Sequence, residues 1–124
     1  VGSNTIKDIE KKINNLTIIE KIKPQDITIL TTVSIENSVF SDVSSIAGYD
    51  VRKIENRELD SIVIDTIFRF KGLESNVVIL VCDNNSLNID EIMYVGLSRA
   101  RLLLHIIVEN NENKIMLQKL INKN

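Results

Sequence analysis

The chain has 124 residues, enough for one domain that buries about two-thirds of the surface its unfolded form exposes. Its formal net charge of -2 excludes a surface that is basic throughout, so any contact with nucleic acid has to be local or shared. The single cysteine, Cys82, excludes an intrachain disulfide and a cysteine-rich zinc site. No apolar run reaches the roughly 18 residues of a membrane span and no signal peptide opens the chain, so we expect a cytoplasmic protein.

The beginning of the chain predicts a helix followed by a strand. Asn4 or Thr5 can cap a helix whose apolar residues recur at helical spacing. That helix has to end before Pro24, because proline disfavours helical backbone at the residue before it. The β-branched run at residues 27–32 predicts the first strand.

The rest of the chain predicts alternating strands and helices. Ser34 can cap a second helix that runs to about Ala47, where Gly48 would stop it. Further strands are predicted at residues 51–55, 61–65, 76–82 and 102–108, and further helices at residues 90–99 and 113–121. Apolar strands that alternate with helices favour an α/β fold of three layers, with a mainly parallel sheet covered on both faces.

A polar and basic loop over residues 66–75 follows one of these strands. Proteins with parallel sheets bind their ligands at the carboxyl ends of the strands. The connections after Asp65 and Cys82 are therefore the first candidates for a ligand-binding site. In the loop, Gly72 would let the backbone approach a ligand closely. Lys71 and Arg69 supply positive charge, and the Glu74 carboxylate can accept hydrogen bonds from a hydroxyl. The alternative is a connection whose charges are simply solvated.

The predicted helix at residues 90–99 carries a second unusual segment. Gly96 lies inside it at a cost of about 1 kcal/mol relative to alanine, which indicates close packing or the close approach of another group. Arg99 and Arg101 end the helix, where cations also satisfy the terminal carbonyls. Helix capping is therefore the alternative to a functional role for both arginines.

Taken together, the two segments resemble motifs V and VI of UvrD/Rep-type superfamily 1 helicases. The family writes motif V as Thr, a variable residue, His, a short gap and Lys-Gly-Leu-Glu, and this chain has Lys-Gly-Leu-Glu at residues 71–74. It writes motif VI as Tyr-Val-(Gly/Ala)-hydrophobic-(Thr/Ser)-Arg-Ala, and this chain has Tyr-Val-Gly-Leu-Ser-Arg-Ala at residues 94–100. The resemblance covers about residues 60–108 and implies the second RecA-like domain of such an enzyme.

The resemblance also implies roles for individual residues. Arg99 matches the motif VI arginine that reaches the γ-phosphate of ATP across the cleft, and it is the implied catalytic residue. The implied nucleotide-binding residues are Gly72, Glu74, Arg99 and Arg101, and the implied nucleic-acid-binding residues are Thr66, Phe68, Arg69 and Lys71. Phe68 departs from the family, where many members have His; its ring could stack on a base or pack in the core.

A missing motif implies that the chain holds half of a composite site. No Gly-x-x-x-x-Gly-Lys-(Ser/Thr) loop occurs, so ATP and Mg²⁺ would be held by an N-terminal RecA-like domain of the same parent chain. Residues 1–4 lack a methionine and resemble a cloning remnant, so we expect a single domain over residues 5–124. We expect single-stranded DNA, or RNA, as the other partner, and no cofactor or metal on this chain alone. The alternative is a stand-alone RecA-like module that only mediates protein contacts.

Four other side chains have plainer interpretations. His105 and Cys82 lie in apolar runs, which predicts a packed histidine and an inert thiol. Met93 and Tyr94 are expected to pack in the core rather than to contact a ligand.

Overall fold

The computed structural model describes residues 2–82, 89–109 and 114–120. Within these ranges it has two α-helices, α1 (Gly2–Asn14) and α2 (Ile89–Arg99), and a π-helical segment at Asn15–Ile19. Short 3₁₀ turns lie at Pro24–Asp26, Ile35–Asn37 and Ile54–Asn56. The strands are β1 (Ile27–Thr31), β2 (Ser45–Ile46), β3 (Tyr49–Arg52), β4 (Ser61–Thr66), β5 (Ser75–Cys82), β6 (Ala100–Glu109) and β7 (Lys114–Leu120).

These strands form one mixed sheet that is mainly parallel. Its order is β2-β3-β4-β1-β5-β6-β7. The five central strands run parallel, and β2 and β7 are antiparallel additions at the two edges. The predicted α/β class with a mainly parallel sheet is therefore confirmed.

Both faces of the sheet are covered. Side chains alternate between the two faces along each strand, so each face has its own set of apolar side chains to bury. On one face, Ile9 and Ile13 of α1 pack against sheet residues such as Ile29. On the other face, α2 and residues 67–70 cover a second cluster that includes Leu104. All five residues of β1 are buried, as expected for the middle of a doubly covered sheet. The arrangement is compatible with three layers.

The predicted helix from Ser34 to Ala47 is wrong. The chain makes a 3₁₀ turn at Ile35–Asn37 and then the β2–β3 hairpin. The Ser38 hydroxyl donates to the Ile35 carbonyl at 2.8 Å and accepts from the Phe40 amide at 3.1 Å, and such local bonds compete with a helix. Gly48 stops no helix: with Ala47 it forms the hairpin turn, with φ of 86° and 55°, as a type I′ turn requires.

The predicted last helix at residues 113–121 is also wrong, because the described part of this segment, residues 114–120, is the strand β7. Its residues pair antiparallel with β6 over most of the length of that long apolar strand. Without β7, the backbone groups along the outer edge of β6 would lack ladder partners. That tertiary requirement overrides a helical pattern in a short segment.

The first helix differs from the prediction in its start. It begins at Gly2, so Asn4 and Thr5 lie inside α1 and do not cap it, and Thr5 is fully buried. The strands and helix predicted at 27–32, 61–65, 76–82, 90–99 and 102–108 are confirmed as β1, β4, β5, α2 and β6. The strand predicted at 51–55 is β3, which begins and ends earlier, at Tyr49 and Arg52.

Candidate functional site

The register of β5 and β6 brings the two motif-like segments together. Ser75 of β5 is paired with Ala100 of β6. Glu74 precedes the first of these residues, and Arg99 and Arg101 flank the second. The three side chains with implied nucleotide contacts therefore belong to neighbouring positions at the amino edge of the parallel sheet. The sequence predicts ligand contacts at the opposite, carboxyl edge. The connection that follows Cys82 on that edge lies outside the described residues.

Arg99 is the last residue of α2 and is partly buried. Its Nη1 donates to the Ser98 hydroxyl, which in turn donates to the Val95 carbonyl at 2.7 Å. Its Nε is buried without a hydrogen-bond partner in the described part of the chain. A buried donor without a partner is costly, and a rotation that delivers the guanidinium to an anion would relieve that cost.

A cavity of about 300 Å³ opens beside Glu74 and Arg101, on the same face of the sheet as α2. Its volume is at the lower end of the range for ligand pockets. Apolar side chains, among them Phe70 and Leu73, form one part of the wall, and polar groups such as Asn76 form another. Of the four residues with implied nucleotide contacts, Glu74 and Arg101 line this cavity, whereas Gly72 and Arg99 do not.

Sequence reasoning missed other residues on the cavity wall. Gln25 and Asp26 precede β1, and Arg57 precedes β4. They reach the site because the amino ends of parallel strands meet at one edge. The Ser75 hydroxyl also donates to the Asp26 carbonyl at 3.0 Å, which ties the starts of β5 and β1 together. No local pattern in the sequence connects these residues with Glu74.

The connection between β4 and β5, residues 67–74, is called here the 67–74 loop. It starts at the carboxyl edge, after Thr66, and ends at the amino edge, before Ser75. The Phe70 amide donates to the Thr66 carbonyl at 3.2 Å, and the Leu73 amide donates to the Phe70 carbonyl at 3.0 Å. Phe70 is buried under the loop and fixes it to the α2 face of the sheet.

Arg69 is held by two carboxylates of the protein. Its Nη2 lies 2.6 Å from Glu55 Oε2, and its Nε lies 3.0 Å from Asp65 Oδ1. The fully buried Asp65 carboxylate also accepts the Thr66 amide at 2.9 Å and the Ile54 amide at 3.4 Å. Two hydrogen bonds, from the Glu55 backbone amide and from Arg69, lower the pKa of the Glu55 carboxyl. The bond to Glu55 and the charge of Asp65 raise the pKa of Arg69.

The other residues with implied nucleic-acid contacts have different surroundings. The Thr66 hydroxyl accepts the Arg69 amide at 3.2 Å, so it helps to shape the loop. Phe68 is 73% exposed, which excludes the alternative that its ring packs in the core. Lys71 is exposed beside Gly72, whose φ is 81°. Since a Cβ on Gly72 would meet nothing within 4 Å, its backbone conformation and not a close contact within the chain favours glycine there.

The plainer predictions have mixed outcomes. A Cβ on Gly96 would lie 2.6 Å from the methyl carbons of Leu104, so the predicted close packing is confirmed. His105 and Cys82 are buried, as predicted. Tyr94 is 76% exposed, so its predicted core position is wrong: α2 turns Gly96 toward the sheet and Tyr94 away from it. The side chain of Met93 lies outside the described residues.

General features of the chain give no further identification. No helix in the described ranges is long and apolar enough to cross a bilayer. Among the same residues, no three His, Cys, Asp or Glu side chains are grouped as ligands for a metal ion. Comparison with models of protein families finds no match, and comparison with curated proteins finds no relative.

Proposed function

We propose that this chain is the second RecA-like domain of a UvrD/Rep-type superfamily 1 helicase. In this role it contributes Arg99 to ATP hydrolysis and part of a surface for single-stranded nucleic acid. The observation that carries the proposal is the pairing of Ser75 with Ala100. It makes neighbours of Glu74 and Arg99, which belong to the two separate segments that resemble the family.

The chemistry assigned to Arg99 follows from phosphoryl transfer. Negative charge on the γ-phosphate has to be stabilised in the transition state, and an arginine from a facing domain can supply that stabilisation, about 10³–10⁵ in rate. The planar guanidinium can bind two phosphate oxygens at once, which a lysine cannot do. The position of Arg99 at the end of a helix, beside an edge of the sheet, allows it to face a second domain.

ATP and Mg²⁺ are assigned to that second domain. The sequence has no phosphate-binding loop of the Gly-x-x-x-x-Gly-Lys-(Ser/Thr) type, so this chain would contact the nucleotide from the opposite side of the cleft. Bound Mg²⁺ would neutralise phosphate charge from the partner domain. Glu74 is suited to the sugar hydroxyls of the nucleotide, and Arg101 lines the same cavity.

The surface for nucleic acid is assigned to the 67–74 loop. Phe68 offers an exposed ring on which a base can stack, a contact of about 1–3 kcal/mol per base that tolerates any base. Lys71 offers a positive charge to the adjacent phosphate. One exposed ring beside a cation suits a single strand better than a duplex, whose bases are already stacked.

The test begins with the size of the native gene product, measured with an antibody raised against this domain. The proposal requires a band several times the 14.1 kDa of this chain. A band near that mass would favour the interaction module, or a subunit that lends Arg99 to another protein. The isolated chain should bind ATP weakly or not at all, and tight binding would count against the proposal.

ATP hydrolysis stimulated by single-stranded DNA is then measured in the full-length product. Arg99→Ala should lower turnover by a factor of about 10³ or more, with ATP binding nearly unchanged. Arg52→Ala is the matched control, because Arg52 lies on β3 and its ion pairs to Asp50 and Glu58 are long, 3.6 Å each. Equal turnover in the Arg99 variant and the control would remove Arg99 from catalysis.

A further inference from the structure

The 67–74 loop carries two cations, Arg69 and Lys71, and the structure treats them differently. Lys71 is exposed, and its amide donates to the Phe68 carbonyl at 3.4 Å. Arg69 is also half exposed, yet its guanidinium is bound on two sides by Glu55 and Asp65. A guanidinium that reached for a phosphate would have to leave both carboxylates.

Leaving Asp65 would be the costlier of the two steps. Asp65 is fully buried, and among the described residues Arg69 is the cation that pairs with it. Removing the partner of a buried carboxylate leaves an uncompensated charge, which is strongly destabilising. Phosphate binding by Arg69 would therefore work against the fold of the loop itself.

The two carboxylates also belong to different parts of the chain. Asp65 lies near the end of β4, whereas Glu55 lies in the 3₁₀ turn Ile54–Asn56, which precedes that strand. The Ile54 amide donates to Asp65 as well, at 3.4 Å. Arg69 therefore fixes the start of the 67–74 loop both to its own strand and to a neighbouring turn.

We propose that Arg69 is a positioning residue: held between Asp65 and Glu55, it keeps the 67–74 loop in the conformation that presents Phe68 to a base and Lys71 to a phosphate, and it makes no phosphate contact itself. The statement about base and phosphate rests on the proposed function. The fixing of the loop rests on the ion pairs alone. The two can therefore be tested separately.

Amide hydrogen exchange tests the fixing of the loop. Arg69→Gln should speed exchange of the Phe70 and Leu73 amides, which bond within the loop, several-fold more than exchange of the Ile79 amide in β5. Glu55→Gln is a second variant at an exposed site, so the fold should survive it, and it should act in the same direction. If the loop amides exchange at the wild-type rate in both variants, Arg69 does not position the loop.

Binding of a labelled oligothymidylate over a range of salt concentrations tests the second part. Each phosphate contact on a single strand contributes roughly 0.7 to the slope of log affinity against log salt. Lys71→Ala should reduce the slope by about that amount. Arg69→Gln and Glu55→Gln should weaken binding several-fold without changing the slope, and Arg69→Lys, which keeps one ion pair, should restore part of the affinity.

Three results are incompatible with this assignment or with its premise. A slope reduced by about 0.7 in Arg69→Gln would make Arg69 a phosphate contact. Tighter binding by Glu55→Gln would mean that Glu55 restrains an arginine that otherwise binds the strand. If the wild-type domain and the full-length product both fail to bind the oligonucleotide, the proposed nucleic-acid surface fails, while the exchange experiment still decides whether Arg69 fixes the loop.

Discussion

Substitution of Gly96 by alanine should destabilise the protein, although alanine is the better helix former. In an exposed helix interior the change gains about 1 kcal/mol. Here the new Cβ would lie 2.6 Å from both terminal methyl carbons of Leu104 and 3.1 Å from its Cγ. Leu104 is fully buried, so its side chain would have to shift among packed neighbours to make room. Overpacking of this kind costs about 1–3 kcal/mol, and the net result is a loss of up to about 2 kcal/mol.

Urea unfolding followed by circular dichroism measures this change, since the chain contains no tryptophan for fluorescence. A double-mutant cycle with Leu104→Ala isolates the contact. Leu104→Ala alone should cost about 2–5 kcal/mol, and the added methyl of Gly96→Ala should fill part of the cavity that it leaves. The double variant should therefore be more stable than the sum of the two single changes predicts, by about 1 kcal/mol.

A gain of about 1 kcal/mol in the single Gly96→Ala variant would refute this reasoning, because helix propensity would then act without opposition. So would strictly additive effects in the cycle, since the two side chains would not be in contact. The same substitution also bears on the site, because Arg99 is three positions further along α2 and would move with the helix. ATP hydrolysis by the full-length product should fall with it.

Three further changes have expected outcomes. Gly72→Ala should lower the free energy of unfolding by about 1 kcal/mol, because alanine is strained at the φ of 81° that residue 72 adopts. Gly72→Asn should lower it less, because asparagine tolerates left-handed backbone. Urea unfolding measures both variants, and equal losses would contradict the conformational reason. Glu55 has a pKa below its ordinary 4.5 in the folded protein, so its stabilising effect is present above that value and disappears as pH falls through the lowered pKa. The stability difference between wild type and Glu55→Gln, followed by denaturation at several pH values, should vanish in acid, and a constant difference would disprove the linkage. Phe68→Ala should weaken oligothymidylate binding by about 1–3 kcal/mol and leave stability nearly unchanged; a drop in stability instead would mean that the ring packs within the protein.

The sequence alone determined the strands of the central sheet and the helix that carries Arg99. Runs such as residues 77–82 are apolar throughout, and their short length and β-branched composition are typical of a strand buried on both faces. Gly96 also indicated a close approach before its neighbour was known. These features are local, because each depends on residues that are near one another in the chain.

Only the tertiary structure decided which segments lie side by side. The pairing of Ser75 with Ala100, which places Glu74 beside Arg99 at the amino edge, is a matter of strand order and register. So is the strand conformation of β7, whose backbone groups pair with β6 and not with one another. Arg69 likewise pairs with Glu55, which lies in the turn that precedes β4. Hydrogen bonds and ion pairs between distant segments form only when the whole sheet is assembled, so no pattern within a short stretch of sequence records them.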